Sequence, residues 1–203
     1  MTETWLTINP QTRDVVRAKT RASSVMVSRT VARDPRLTAV IDKWSPLYKD
    51  KANKEVGTIT GDINGSPGRD RPSSLGNLVA DSMLAATAKS PCNAEIALIN
   101  QGGIRANLTW LPASGGMKAG RLTYADLYKV LPFGNTIVTI TLTGEQIREA
   151  LEQQYDPTRS RPQLIVGVSD GFSFDYLSYG PQGHRIQNLG PVNTYLGTIR
   201  EWK

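Results

Sequence analysis

Asn100-Gln101-Gly102-Gly103-Ile104-Arg105 follows the apolar run Ile96-Ala97-Leu98-Ile99 and lies upstream of Leu131-Pro132-Phe133-Gly134. This is a strand running into a glycine turn that ends in an arginine. The two glycines let backbone approach a bulky group, and the guanidinium beyond them can grip an anion in a bidentate fork. The pattern is that of a ligand loop on an α/β framework, and the elements on either side support it.

Downstream, Thr123-Tyr124-Ala125-Asp126 has the form of a capping box and predicts a short helix to Val130 that Pro132 stops. Asn135 to Leu142 alternates Ile137, Ile140 and Leu142 with threonines and predicts a strand. Thr143-Gly144-Glu145-Gln146 is a second capping box, predicting a helix to Tyr155. Strands are expected at Leu164 to Val168 and Gly171 to Tyr176, and the pattern from Gly180 onward supports no definite element. Upstream, Val56 to Ile63 alternates as a strand, and Ser73 or Ser74 caps a helix from Leu75 to about Lys89. The loop between them carries Arg69 and Arg71, and Arg71 lies just ahead of that helix N-terminus, where a cation and free N–H groups together suit an anion.

The front of the chain is different. Short strands are expected around Trp5-Ile8, Val15-Arg17 and Val25-Ser28, with little to pack on. Asp34-Pro35 then starts an amphipathic helix carrying Leu37, Val40, Ile41, Trp44 and Leu47, expected to end between Pro46 and Lys51.

Of 203 residues, 39% are hydrophobic and 21% charged, ordinary values for a globular chain, and no apolar run approaches the length of a membrane span. The first thirty residues lack the apolar core of a signal peptide, so export is not signalled within this stretch. One cysteine, Cys92, precludes an internal disulfide and reads as an inert thiol. The net charge of +6 raises nucleic acid as a partner, but residues 1–54 hold 11 Lys and Arg against 5 Asp and Glu, whereas 55–203 hold 13 of each. The basic residues are scattered without interleaved aromatics, which disfavours nucleic acid and suits a solvated face or a protein contact.

A nucleophilic triad is disfavoured, because the only histidine, His184, sits in the weakly patterned tail with no serine elbow before it. Asp62, Asp70 and Asp81 lack metal-ligand spacing, and Glu145, Glu149 and Glu152 read as a solvated helix face. What remains is a binding constellation of Arg71, Asn100, Gly102, Gly103, Arg105 and Phe133. Two arginines suit phosphate, an asparagine offers one donor and one acceptor edge to a heterocycle, and an aromatic between Pro132 and Gly134 can offer its face to a ring. The ligand implied is of nucleotide size.

Four motifs now stand in register: Gly57-Thr58-Ile59-Thr60-Gly61, Ser74-Leu75-Gly76-Asn77-Leu78-Val79-Ala80-Asp81, Ala97 to Arg105, and Val130-Leu131-Pro132-Phe133-Gly134-Asn135. In order and spacing they resemble the C-terminal domain of the 5′-nucleotidase family. The resemblance implies an α/β fold, with a mixed sheet and about four helices, that binds the nucleoside part of a nucleotide. By resemblance, Arg71 and Arg105 contact phosphate or ribose oxygens, Asn100 contacts the base, and Phe133 is one plate of an aromatic clamp. Residues 1–32 resemble the end of the family's metallophosphatase domain, 33–54 its linker helix, and 55–203 the C-terminal domain, truncated or divergent after about 180.

The complete family enzyme uses two divalent metal ions held by a part not matched here, so no cofactor or metal is expected on this chain. The family's second stacking plate and its Gly-Gly-Asp-Gly motif have no counterpart in residues 190–203. Phe172, Phe174 or Tyr195 could replace the plate. The expected function is a nucleotide-recognition module of a 5′-nucleotidase-type hydrolase, with a metallophosphatase domain as partner and a periplasmic or extracellular setting. A noncatalytic nucleoside binder and a fragment without function are the alternatives.

Overall fold

The computed structural model describes residues 1–28, 30–66, 68, 71–89, 93–111, 118–177 and 179–190. Cys92, Arg69 and Tyr195, singled out in the sequence, lie outside these residues. The chain forms two compact units, Met1–Tyr48 and Lys49–Lys203.

In the first unit, β1 (Thr2–Trp5) pairs antiparallel with β2 (Arg21–Ser24), from Thr2 opposite Ser24 to Trp5 opposite Arg21. The strand expected at Trp5–Ile8 begins earlier, and Ile8 makes only an isolated bridge to Val15. Between them the Asn9 side-chain oxygen accepts the amides of Gln11 and Thr12, forming a turn of the kind asparagine favours. Helix α1 spans Pro35–Asn53, with Asp34 accepting the Arg36 amide at its start. It runs through Pro46 rather than ending there. A proline withholds one amide from the helix ladder, and its ring crowds the preceding turn, but a long helix can absorb that locally. No described residue of this unit is buried.

In the second unit, β3 (Glu55–Thr58) is followed by α2 (Ser74–Thr87), β4 (Leu98–Asn100), β5 (Arg121–Thr123), α3 (Tyr124–Val130), α4 (Gly144–Glu152), β6 (Val166–Val168), β7 (Ser173–Tyr176) and β8 (Ile186–Gly190). Among the described residues the chain as a whole, α1 included, is α/β with four α-helices, as expected. Among the described residues the second unit's strands form separate antiparallel pairs, β3 with β5, β4 with β6 and β7 with β8, in place of one mixed sheet.

Each pair brings apolar residues to one of two clusters. Ile147, Leu151, Tyr155, Ile165, Phe172, Ile186 and Leu189 make the larger one. Leu75, Val79, Leu108, Leu122 and Val130 make the other. Helix α2 lies against β6 at a point where two glycines meet: a Cβ on Gly167 would stand 2.5 Å from the carbonyl carbon of Gly76.

Three findings depart from the sequence reading. Residues 135–142 form no named strand, and Ile137, Val138 and Ile140 are exposed. Alternation sets which side chains share a face, but a strand also needs a partner edge, and 135–142 pairs with no strand among the described residues. Glu152 does not share the solvated face of Glu145 and Glu149. It is 8% exposed, and its Oε1 accepts the Ile186 amide at 2.6 Å while Arg148 donates to the Ile186 carbonyl at 2.7 Å. Two side chains of α4 thus satisfy the backbone at the start of β8, a strand with no clear signal in the sequence. Phe172 is buried in the larger cluster and tilted against Phe174, so it cannot serve as an open stacking plate.

Both capping boxes form. Thr143 accepts the Gln146 amide, and Gln146 accepts that of Thr143. At α3, Asp126 Oδ2 accepts the Thr123 amide at 3.0 Å and its hydroxyl at 2.7 Å. Burial pushes the Asp126 carboxyl up, but these bonds and Lys129 outweigh it and hold it below the usual value. A lowered folded pKa means stability that is complete above the ordinary carboxyl range and lost as pH falls through the folded value. Asp126→Ala should therefore cost about 1 kcal/mol in urea unfolding at pH 7, and the gap from wild type should narrow as acid protonates Asp126. A gap unchanged at about pH 2, well below the ordinary aspartate pKa, would show that the carboxylate does not cap α3.

Candidate functional site: a wall of Asn100, Arg105 and Phe133

The site is assembled from the N-terminus of α2. Ser73 is the N-cap, and its Oγ accepts the Gly76 amide at 2.9 Å. The same hydroxyl donates to Gln101 Oε1 at 2.8 Å. Gln101 is 3% exposed, and its amide nitrogen finds no partner among the described residues. A buried amide half-satisfied in this way fixes the start of the glycine loop against the helix. Arg71, two residues before the cap, is exposed and makes no hydrogen bond or ion pair to Asn100, Arg105 or Phe133. Among the described residues, its link to the loop runs along the backbone to Ser73 and the Ser73–Gln101 bond.

Asn100 ends β4, opposite Val166 of β6, and its side chain is exposed. Gln101–Gly103 then make one turn of 3-10 helix, closed by the Ile104 amide on the Gln101 carbonyl at 3.1 Å. Neither Gly102 nor Gly103 adopts a positive φ. What lies over Gly103 is the Asn100 side-chain oxygen, 3.5 Å from where a Cβ would be, with Leu131 beyond it. The Asn100 side chain thus lies in van der Waals range of that position.

The other end of the loop is pinned by the Arg105 amide on the Val130 carbonyl, 2.9 Å, at the close of α3. The chain leaves that helix through Leu131 and Pro132 and turns at Gly134, whose φ of +63° suits glycine. Phe133 is thereby held out of the core at 58% exposure, with the Arg105 guanidinium carbon 5.9 Å from its ring centroid. Asn100, Gly103, Arg105 and Phe133 thus come together on one open wall. Its chemistry is a stacking face, a cation beside it and an amide across a glycine gap.

Gln101 and Leu131 escaped the sequence reading. A glutamine after Asn100 carries no local sign of its long-range bond to Ser73, whereas Ser73 itself was legible as a cap. Among the described residues no group of three or more His, Cys, Asp or Glu could hold a metal ion. His184 lies in a turn, its amide on the Pro181 carbonyl.

A family model for the 5′-nucleotidase C-terminal domain matches residues 55–199. The chain is 31% identical over 170 residues to the trifunctional nucleotide phosphoesterase protein YfkN of Bacillus subtilis, a match that covers 83% of this chain and 11% of that protein. It is 30% identical over 153 residues to the cell wall protein Lmo0130 of Listeria monocytogenes, covering 72% of this chain and 19% of that one. The fold is similar to the crystal structure of the 5′-nucleotidase precursor from Thermus thermophilus, with a TM-score of 0.67 at 24% identity over 93% of this chain and 35% of that one.

The chain belongs to the family of 5′-nucleotidase C-terminal domains. It spans 11% and 19% of the length of the two curated relatives above. No helix among the described residues is long and apolar enough to cross a membrane.

Proposed function

We propose that the second unit is the nucleotide-recognition module of a 5′-nucleotidase-type hydrolase. The observation that carries this is the wall itself: an exposed Phe133 ring beside Arg105, with Asn100 across Gly103. Phe133 stacks the base, Asn100 hydrogen-bonds its edge, and Arg105 with Arg71 holds ribose or phosphate oxygens. Family membership supports the assignment.

In this reading, attack on the phosphate belongs to a metallophosphatase domain with two divalent ions. The setting is extracytoplasmic, a reading supported by the similarity to a cell wall protein. AMP should bind the chain saturably, and with added divalent metal the bound nucleotide should stay intact. Release of phosphate from AMP by phosphatase-free protein would refute a recognition role separate from catalysis.

A further inference from the structure

A second cleft in the same unit, of about 370 Å³, is lined by Asp156, Ser160, Arg161, Gln163 and Arg185, and it shares no residue with the wall of Asn100, Arg105 and Phe133. Both of its sides are fixed. The loop from 156 to 162 is closed by the Asp156 amide on the Pro162 carbonyl at 2.9 Å and by the bridge between Tyr155 and Gln163. Within it Asp156 is already engaged: Oδ1 accepts the amide and hydroxyl of Thr158, and Oδ2 pairs with Arg159 at 3.1 Å.

On the other side, Arg185 donates its Nε to the Gly180 carbonyl at 2.8 Å and rests 5.3 Å from the ring centroid of Tyr155, itself 1% exposed. A guanidinium held by one nitrogen and stacked on an immobile ring keeps its two terminal nitrogens free as a preset fork. Neither Arg185 nor Arg161 meets a carboxylate among the described residues. Two arginines without an ion-pair partner among the described residues, together with Ser160 and Gln163, therefore line one cleft.

We propose that this cleft is a phosphate-binding site, distinct from the nucleoside wall. A carboxylate accepts within one plane, whereas the oxygens of a tetrahedral phosphate can accept from Arg161, Arg185, Ser160 and Gln163 on different sides. The occupant is free phosphate or the phosphate group of a small ester. The site does not depend on whether adenosine binds at Phe133.

The test is a titration of the full chain with inorganic phosphate, at constant ionic strength set with chloride, followed by amide NMR. Saturable shifts are expected at Ser160, Arg161, Gln163 and Arg185. Arg161 is exposed, so Arg161→Glu should fold normally while weakening the phosphate response about ten-fold or more. Glycerol phosphate run in parallel assigns the source: tighter binding points to an ester, equal or weaker binding to free phosphate. The proposal is overturned if those amides fail to saturate, if saturation is confined to residues near Arg71 and Arg105, or if Arg161→Glu responds like wild type.

Discussion

Gly167→Ala is expected to lower the stability of the second unit by about 3 kcal/mol. Its Cβ would stand 2.5 Å from both the carbonyl carbon and the carbonyl oxygen of Gly76, and 2.8 Å from the Gly76 Cα. These are backbone atoms, so no side-chain rotation can relieve the clash, and α2 must shift away from β6. Because β6 pairs with β4 at Asn100 and α2 holds Gln101 through Ser73, the shift also disturbs the loop. Urea unfolding of Gly167→Ala beside Gly57→Ala makes the comparison, since a Cβ on Gly57 meets nothing within 4 Å. The Gly57 variant should stay within about 0.5 kcal/mol of wild type. Similar midpoints for the two variants would mean that α2 and β6 are not in contact as described.

Signals that act over a few residues were legible in the sequence. Ser73 and Thr143 each accept an amide of the first helical turn, and Asp126 accepts the Thr123 amide, as the spacing of these residues predicts. The apolar run before Asn100 gives β4, and the proline after Val130 ends α3 where expected. Within the candidate site, Asn100, Gly103, Arg105 and Phe133 were named from their residue types; Asn100 lies by Gly103 and Arg105 by Phe133.

What was missed depends on partners far along the chain. Glu152 looks like any third carboxylate on a polar helix face until Ile186 presents an unpaired amide to it. β8 has a mixed composition and a left-handed residue at Asn188, so alternation could not reveal it. Residues 135–142 show the converse, a clear strand pattern without a paired neighbour among the described residues. Gly76 and Gly167 carried no packing signal at all, because the need for glycine at each arises only when α2 reaches β6.

Recognition of a nucleoside by this wall depends on Phe133 as a stacking surface, and its removal carries the other large expected effect. The ring is 58% exposed and lies in neither buried cluster, so Phe133→Ala should leave the fold intact. Stacking on an aromatic side chain contributes about 1–3 kcal/mol per base, which corresponds to a loss of about ten-fold or more in affinity. Loss of the ring also frees Arg105 from its cation–π contact, a change of about 0.5–1 kcal/mol at an exposed site. The decisive measurement is calorimetric titration of adenosine, which carries no phosphate, into wild type and Phe133→Ala with matched melting curves. A dissociation constant raised about ten-fold or more in the variant is the predicted result, and an unchanged constant would contradict a nucleoside wall built on this ring.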